Sequence, residues 1–222
     1  MKVLFVNPPS GTLTMGLKQL SKVEPLALEI LGAAIPEHDV EILDMELDTK
    51  VGRALRRFQP DVVGVSAQVV QAYSAQRVLQ EAKAFNPATL TLLGGHHATL
   101  RPAEFNAPYI DAIILGEGVP AFQEIVARRA GGANDLSDIP GLALPQSVAM
   151  HYTPPRPMPT TLDHQPLPSR SLTAKYRSRY FYLFESSVAS IQTSMGCSFG
   201  CTFCSCQAFS RRHVSASPPA DH

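Results

Sequence analysis

Short apolar runs alternate with segments of helical periodicity over roughly the first 130 residues of the chain. Each run is rich in Val, Ile or Leu and too short for a buried helix, which indicates strands buried on both faces. The pattern predicts five such strands, over residues 3–6, 40–44, 61–66, 89–94 and 111–116. Helical segments with apolar positions at three- and four-residue steps lie between them and end at proline or glycine. We therefore expect an α/β fold: a doubly wound, five-stranded parallel sheet of the Rossmann or flavodoxin type.

A proline-rich stretch divides the chain after this unit. Six of the nineteen prolines lie between Pro154 and Pro168. Proline removes a backbone donor and restricts the residue before it, so this stretch sustains neither a helix nor a central strand. We predict a sheet domain over 1–133, a linker with short strands over 134–178, and a C-terminal unit over 179–222. In that last unit, residues 187–193 are predicted to form a strand that leads into a cysteine-rich loop.

Composition narrows the class of partner. Nineteen basic residues balance nineteen acidic ones among the 222, so no net field draws the chain to nucleic acid or to an anionic membrane. No apolar run reaches the roughly 18 residues of a membrane span, and no signal peptide is apparent. We expect small-molecule partners and a cytoplasmic location, where cysteines stay reduced.

The carboxyl ends of the predicted strands are the expected ligand site, because ligands of such folds bind there. Small residues follow three of these ends, in the runs Ser66-Ala67-Gln68, Gly94-Gly95-His96-His97 and Gly116-Glu117-Gly118. They let the backbone come close to a bulky ligand. A phosphate-loop lysine motif is absent, and no G-x-G-x-x-G follows the first strand, which disfavours ordinary nucleotide binding.

Three of the four cysteines have the spacing of a cluster ligand set. Cys197, Cys201 and Cys204 form C-x3-C-x2-C, which lets three thiolates reach three corners of one [4Fe–4S] cluster and leaves the fourth iron open. An open metal position is where a substrate or cofactor can bind. A zinc site that also uses Cys206 is the alternative, but four ligands within ten residues would crowd a tetrahedral shell.

The run MGCSFGCTFCS resembles the cluster motif of the radical S-adenosylmethionine (radical SAM) superfamily, including the aromatic residue Phe203 before the last cysteine. This resemblance implies that SAM chelates the open iron beside Phe203. The resemblance further implies that an electron from the cluster would cleave SAM to a 5′-deoxyadenosyl radical. It also implies a reductant such as ferredoxin or flavodoxin.

The strand ends resemble a second module. LLGGHHATLRPAEF, the later LGEG and the run PDVVGVSAQ are similar to the cobalamin-binding domain that precedes the radical SAM core in one class of these enzymes. The resemblance implies that the nucleotide tail of cobalamin contacts the strand ends, at Ser66, Gly94, Gly95, Gly116, Glu117 and Gly118. A plain turn remains open for the Gly94-Gly95 pair, and a helix-start carboxylate for Glu117.

Histidine is not expected on cobalt, because Asp-x-His-x-x-Gly does not occur in the chain. His96 and His97 read as polar loop histidines, although either could lie near the corrin.

Taken together, the two resemblances imply the front half of a cobalamin-dependent radical SAM methyltransferase. EPLALEI and the approach to the cysteine loop are similar to the hopanoid C-3 methylase branch, which implies a lipid substrate. An oxidative cyclase of the same family and a non-catalytic cobalamin-binding module are the alternatives. Only eighteen residues follow Cys204, whereas a (β/α) barrel needs about 200. We therefore expect only an incomplete barrel, and no turnover by this chain alone.

Overall fold

The computed structural model describes residues 1–11, 20–163, 165–210 and 214–216. Its strands are β1 (Lys2–Asn7), β2 (Ser21–Lys22), β3 (Asp39–Asp44), β4 (Val62–Ser66), β5 (Leu90–Gly94), β6 (Ala112–Ile114), β7 (Leu142–Leu144), β8 (His151–Tyr152), β9 (Phe181–Tyr182), β10 (Glu185–Ser186), β11 (Ser194–Gly196) and β12 (Val214–Ala216). Its α-helices are α1 (Leu26–Ala33), α2 (Val51–Phe58), α3 (Ala72–Phe85), α4 (His96–Leu100), α5 (Val119–Ala130) and α6 (Cys206–Ser210). Three 3-10 segments occupy Val69–Gln71, Pro102–Phe105 and Arg170–Arg179.

One sheet organises the molecule, in the order β3-β1-β4-β5-β6-β7-β8. The first five strands are parallel, and they are the five that the apolar runs predict, so the α/β class and the five-stranded parallel sheet are confirmed. β7 and β8 lie in the segment where the sequence predicts a linker with short strands, but their antiparallel pairing at the edge of this sheet was not predicted. The Thr153 hydroxyl holds this hairpin, since it accepts from the Leu142 N–H at 2.8 Å. The division of the chain at residue 133 stays a prediction.

Helices cover both faces of the sheet because side chains alternate along the buried strands. Leu4 and Val6 of β1 lie in a core with α2, α3 and α4. Val3 and Phe5 lie in a second core with α1 and α5. Phe5 packs against Gly64, where a Cβ would lie 2.9 Å from its ring.

The proline-rich stretch contains neither helix nor strand among its described residues, as proline predicts. The chain then returns to the sheet domain through the 3-10 segment Arg170–Arg179. The phenol of Tyr180, at the end of that segment, donates to the buried Asp44 at 3.0 Å. β9 pairs with both β10 and β2, which fixes the C-terminal part against the N-terminal part.

The predicted strand over 187–193 is wrong, because these residues are irregular in the structure. The backbone of Ser190 bonds to side chains rather than to a neighbouring strand, and its N–H donates to Glu24 at 2.8 Å. After β10, strand pairing resumes only at β11, which pairs antiparallel with β12. No helix in the described part of the chain has the length and apolar character that a membrane span requires.

Candidate functional site

A cavity of about 310 Å³ opens at the carboxyl ends of β4, β5 and β6. It lies on the sheet face that α1 and α5 cover. The structure brings all six residues predicted at the strand ends to its lining: Ser66, Gly94, Gly95, Gly116, Glu117 and Gly118. All six are half-buried. Their role as ligand contacts stays a prediction, but three separate strand ends do converge on one space.

Glycine is required at two of these positions for different reasons. Gly95 has φ +98°, and a Cβ there would lie 2.7 Å from the backbone N and O of Ala67. The ends of β4 and β5 therefore touch through backbone, and the Ala67 N–H donates to the Gly94 carbonyl at 3.0 Å. Gly116 has φ +74°, but a Cβ there would meet nothing within 4 Å. Gly95 thus allows a close approach, whereas Gly116 is needed for its left-handed backbone conformation.

Thr99 joins the ends of β5 and β6, a role that the sequence did not reveal. Its hydroxyl donates to the Gly95 carbonyl and accepts from the Gly116 N–H, both at 3.0 Å. A threonine in a short helix gives no distinctive sequence signal, because the second partner is distant in the chain.

The deep part of the cavity is apolar. Sheet residues Phe5, Leu92 and Ile114 form its floor, and Leu31 of α1 and Phe122 of α5 form its walls. Polar groups lie at the mouth. Such a space suits a flat apolar ring with a polar attachment, and its volume is at the small end of ligand pockets, which range over about 300–1,000 Å³. It can therefore take part of a large cofactor.

Glu117 serves the helix that follows it. Its Oε1 accepts from the Val119 N–H at 3.0 Å, in the first turn of α5, while the residue also lines the cavity. The helix-start interpretation that the sequence left open is thus present in the geometry.

The C-terminal segments also line the cavity, which sequence reasoning missed. Gln165, Gln192, Met195 and Phe209 all contribute to its lining. The Phe209 ring of α6 stacks on His96 of α4, with centroids 4.9 Å apart and planes 18° apart. The cysteine-bearing part of the chain therefore lies over the mouth of the cavity.

His97 behaves as a structural histidine. Its Nε2 lies 3.0 Å from a carboxylate oxygen of Glu104, and its ring meets Phe105 edge-on. His96 lines the cavity, so it is the histidine nearer to the site.

All four cysteines are free thiols. Cys201 and Cys204 are exposed, Cys197 and Cys206 are half-buried, and Phe203 is 92% exposed. Over the described ranges, no three His, Cys, Asp or Glu side chains come together as a metal-binding set. The structure therefore does not assemble Cys197, Cys201 and Cys204 around one point, and it does not assemble the four-cysteine zinc alternative either. The cluster assignment rests on the spacing of accessible thiols.

The family model of the B12 binding domain matches residues 13–126, which is more than half of the chain. The chain belongs to the B12-binding domain family. The matched range contains the ends of β4, β5 and β6 and all six predicted contact residues.

Relatives of this B12-binding chain share both its parts. It is 32% identical over 216 residues to an uncharacterized methyltransferase of Pyrococcus horikoshii, and 30% identical over 220 residues to the hopanoid C-3 methylase of Methylococcus capsulatus. These matches cover 92% and 94% of the chain, but 45% and 40% of the relatives. An anaerobic magnesium-protoporphyrin IX monomethyl ester cyclase of Rubrivivax gelatinosus is 32% identical over 182 residues, which is 77% of the chain and 31% of that protein.

A solved structure shares the fold. The radical SAM methyltransferase TsrM of Kitasatospora setae, with tryptophan and a SAM analogue bound, superposes with a TM-score of 0.72 at 17% identity. The match covers 98% of this chain and 43% of TsrM. The B12-binding chain thus spans less than half the length of the proteins it resembles.

Proposed function

We propose that this chain forms the cobalamin-binding and cysteine-loop portion of a cobalamin-dependent radical SAM methyltransferase, which methylates an unactivated carbon of a small-molecule or lipid substrate. The observation that carries the proposal is the cavity, because three strand ends and the cysteine-bearing segment meet there. Met195 and Phe209, which flank the C-x3-C-x2-C loop, line the cavity of the B12-binding domain, and this supports a shared site.

The residues present fit cobalamin at this cavity. The apolar floor suits the flat base of the nucleotide tail, and Gly94, Gly116 and Gly118 leave room for it, since a Cβ at each would meet nothing closer than 3.9 Å. Ser66 and Glu117 offer polar groups at the mouth. When bound, cobalamin would supply a methyl carrier, and a [4Fe–4S] cluster with SAM would supply a radical.

The cysteine loop is the proposed cluster site. Cys197, Cys201 and Cys204 would hold three irons as thiolates, and Phe203 would lie beside SAM. Because Cys201, Phe203 and Cys204 are exposed, SAM would find few protein contacts beyond the iron. We therefore expect no turnover by the 222-residue chain alone. Free thiols also suit the cytoplasm, with ferredoxin or flavodoxin as electron donor.

A cyclase is the second candidate, and the similarity to the Rubrivivax gelatinosus cyclase supports it. The hopanoid C-3 methylase, which matches 94% of the chain, supports methyl transfer to a lipid. Both reactions would use the same cavity and the same cysteine loop.

Hydroxocobalamin binding by Gly94→Leu tests the proposal. The purified chain should retain cobalamin one-to-one after desalting. The variant should bind about 100-fold more weakly, because its side chain enters an otherwise open space, and overpacking costs about 1–3 kcal/mol. Ala130→Leu, on the exposed end of α5, is the control and should bind normally. Equal binding by Gly94→Leu would place cobalamin elsewhere and contradict the proposal.

A further inference from the structure

A buried ionic cluster joins the beginning of α1 to the segment that precedes the cysteine loop. The side chains of Glu24 and Glu29 are 0% exposed, and Arg170 lies between them with 29% exposure. The Arg170 Nη1 donates to Glu24 Oε1 and, at 2.8 Å, to Glu29 Oε2. Glu29 is held further by the Thr173 hydroxyl, which donates to its other oxygen. One guanidinium thus serves two carboxylates that lie far from it in the sequence.

This cluster holds Ser190 by both of its backbone groups. The Ser190 N–H donates to Glu24 Oε1 at 2.8 Å, and its carbonyl accepts from Arg170 Nη2. Two residues later, Gln192 lines the cavity, and β11 then leads to Cys197. The approach to the cysteine loop is therefore attached through side chains, at the point where a strand was predicted.

Stability alone does not explain this arrangement. Two buried carboxylates share one guanidinium, and Glu24 Oε2 is buried with no hydrogen-bond partner in the part of the chain that the structure describes. An unpaired buried oxygen is unfavourable, and a buried ion pair is weak evidence for stability. Such groups can instead select one arrangement among several. Here the arrangement in question is the position of the Ser190 segment relative to α1, whose Leu28 and Leu31 line the cavity.

We infer that Glu24 and Arg170 are positioning residues that fix the cysteine-bearing segment over the cofactor cavity. They touch neither cavity nor cysteines in this role; they tie the Ser190 backbone to the helix that forms the cavity wall. The inference rests on the proposed function for its purpose, but the attachment itself can be measured in the chain without cofactors.

Hydrogen exchange over residues 187–196 tests the attachment directly. Glu24→Gln keeps an acceptor for the Ser190 N–H but loses the ion pair, and Arg170→Met removes every donor at similar length. Each should speed exchange of these amides about tenfold or more, because breaking one partner of a buried pair opens the local structure. Amides of β5 should be unchanged, which separates local release from global unfolding. Arg170→Lys should lie between, since one ammonium replaces a fork of donors.

Arg128→Met is the matched control. Arg128 has the same 29% side-chain exposure and is also ion-paired, to Asp138. The Arg128→Met variant should show the same amide exchange over residues 187–196 as the unmodified chain. The double variant Glu24→Gln/Arg170→Met should exchange no faster than the faster single variant, because the two act as one unit. Unchanged exchange in both single variants, or additive effects in the double, would overturn the inference.

A spectroscopic readout separates positioning from simple support. In the chain loaded with cobalamin and iron–sulfur cluster and then reduced, the distance between the two paramagnetic centres can be measured by pulsed electron spin resonance. Glu24→Gln should broaden that distance distribution while cobalamin affinity stays within about twofold. An unchanged distribution would overturn the inference. A chain that takes up no cobalamin would contradict the proposed function instead. In that case, hydrogen exchange over residues 187–196 would still test whether Glu24 and Arg170 hold the Ser190 segment.

Discussion

Adjacent glycines at the end of β5 have opposite requirements. Gly94 has ordinary backbone geometry, and a Cβ there would lie 3.9 Å from the Ile114 carbonyl, which is normal contact. Gly95 has φ +98° and would bring a Cβ against the backbone of Ala67. The first glycine provides space for a ligand, whereas the second allows two strand ends to touch. Their sequence, Gly-Gly, does not distinguish the two roles.

Gly95→Ala should therefore destabilise the protein far more than Gly94→Ala. Backbone strain at such a residue costs about 1–3 kcal/mol, and the clash with Ala67 adds to this cost. The midpoint temperature of thermal unfolding should therefore fall by roughly 4–8 °C. Gly94→Ala should change it by less than about 2 °C. Circular dichroism melting of both variants measures this. Equal melting temperatures would mean that the close approach at Gly95 is not built into the fold.

Asp44 sets a pH dependence of stability. It is buried, and it accepts from Asn7 Nδ2 at 2.8 Å and from the Tyr180 phenol at 3.0 Å. Burial raises the pKa of Asp44 above its usual 3.8, in spite of these bonds. A raised pKa in the folded state means that the folded protein binds the proton more tightly. The contribution of Asp44 to stability is thus present below its pKa in the unfolded state, and it is lost as pH rises through its pKa in the folded state.

Asp44→Asn should remove that contribution while it keeps the contacts, since the phenol oxygen can accept from an amide. The stability difference between about pH 4 and pH 8, measured by urea unfolding, should be smaller in the variant than in the unmodified chain. Some dependence should remain, because burial also raises the pKa of Glu29. An unchanged difference would indicate that Asp44 titrates normally in the folded state.

Among the elements, those with strong local patterns were predictable. The five parallel strands follow from their runs of Val, Ile and Leu, and the carboxyl-end site follows from the fold class. β7, β8 and β11 are two or three residues long, and only their partners define them. The contribution of the C-terminal segments to the cavity lining was not predictable for the same reason. Gln192 lies two residues after Ser190, which Glu24 holds from 166 positions away, and Phe209 stacks on His96.

The cysteine loop should bind iron through three of its four cysteines. After anaerobic reconstitution with iron and sulfide, the chain should carry about four irons. Cys201→Ser should lose most of this iron, because it removes one of three ligands, whereas Cys206→Ser should retain it. Iron analysis and the absorbance of the cluster measure both. Equal iron in Cys201→Ser, or loss in Cys206→Ser, would contradict the ligand assignment and favour a different metal site.

At the scale of the whole molecule, the sheet domain forms the proposed cobalamin site, and the C-terminal unit that packs on it contains the proposed cluster site. The cavity is formed by strand ends, α1 and α5, and by Gln192, Met195 and Phe209 from the segments on either side of the cysteines. Residues 170–190 fold back along the domain through contacts to Asp44 and Glu24, which brings the segment before the cysteine loop to the cavity. Sequence similarity to methyltransferases spans both parts, and similarity to a cyclase spans 77% of the chain, whereas the chain covers less than half of each relative.

In the proposed function, the cavity receives the nucleotide tail of cobalamin. Comparison of cobalamin with cobinamide, which keeps the corrin but lacks the tail, tests it most directly. The chain is titrated with each compound, and binding is followed by absorbance. Cobinamide should bind at least about 100-fold more weakly than cobalamin, because only cobalamin has the nucleotide tail that fills the apolar floor. Equal affinity for the two would contradict the claim, since the cavity would then contribute nothing to binding.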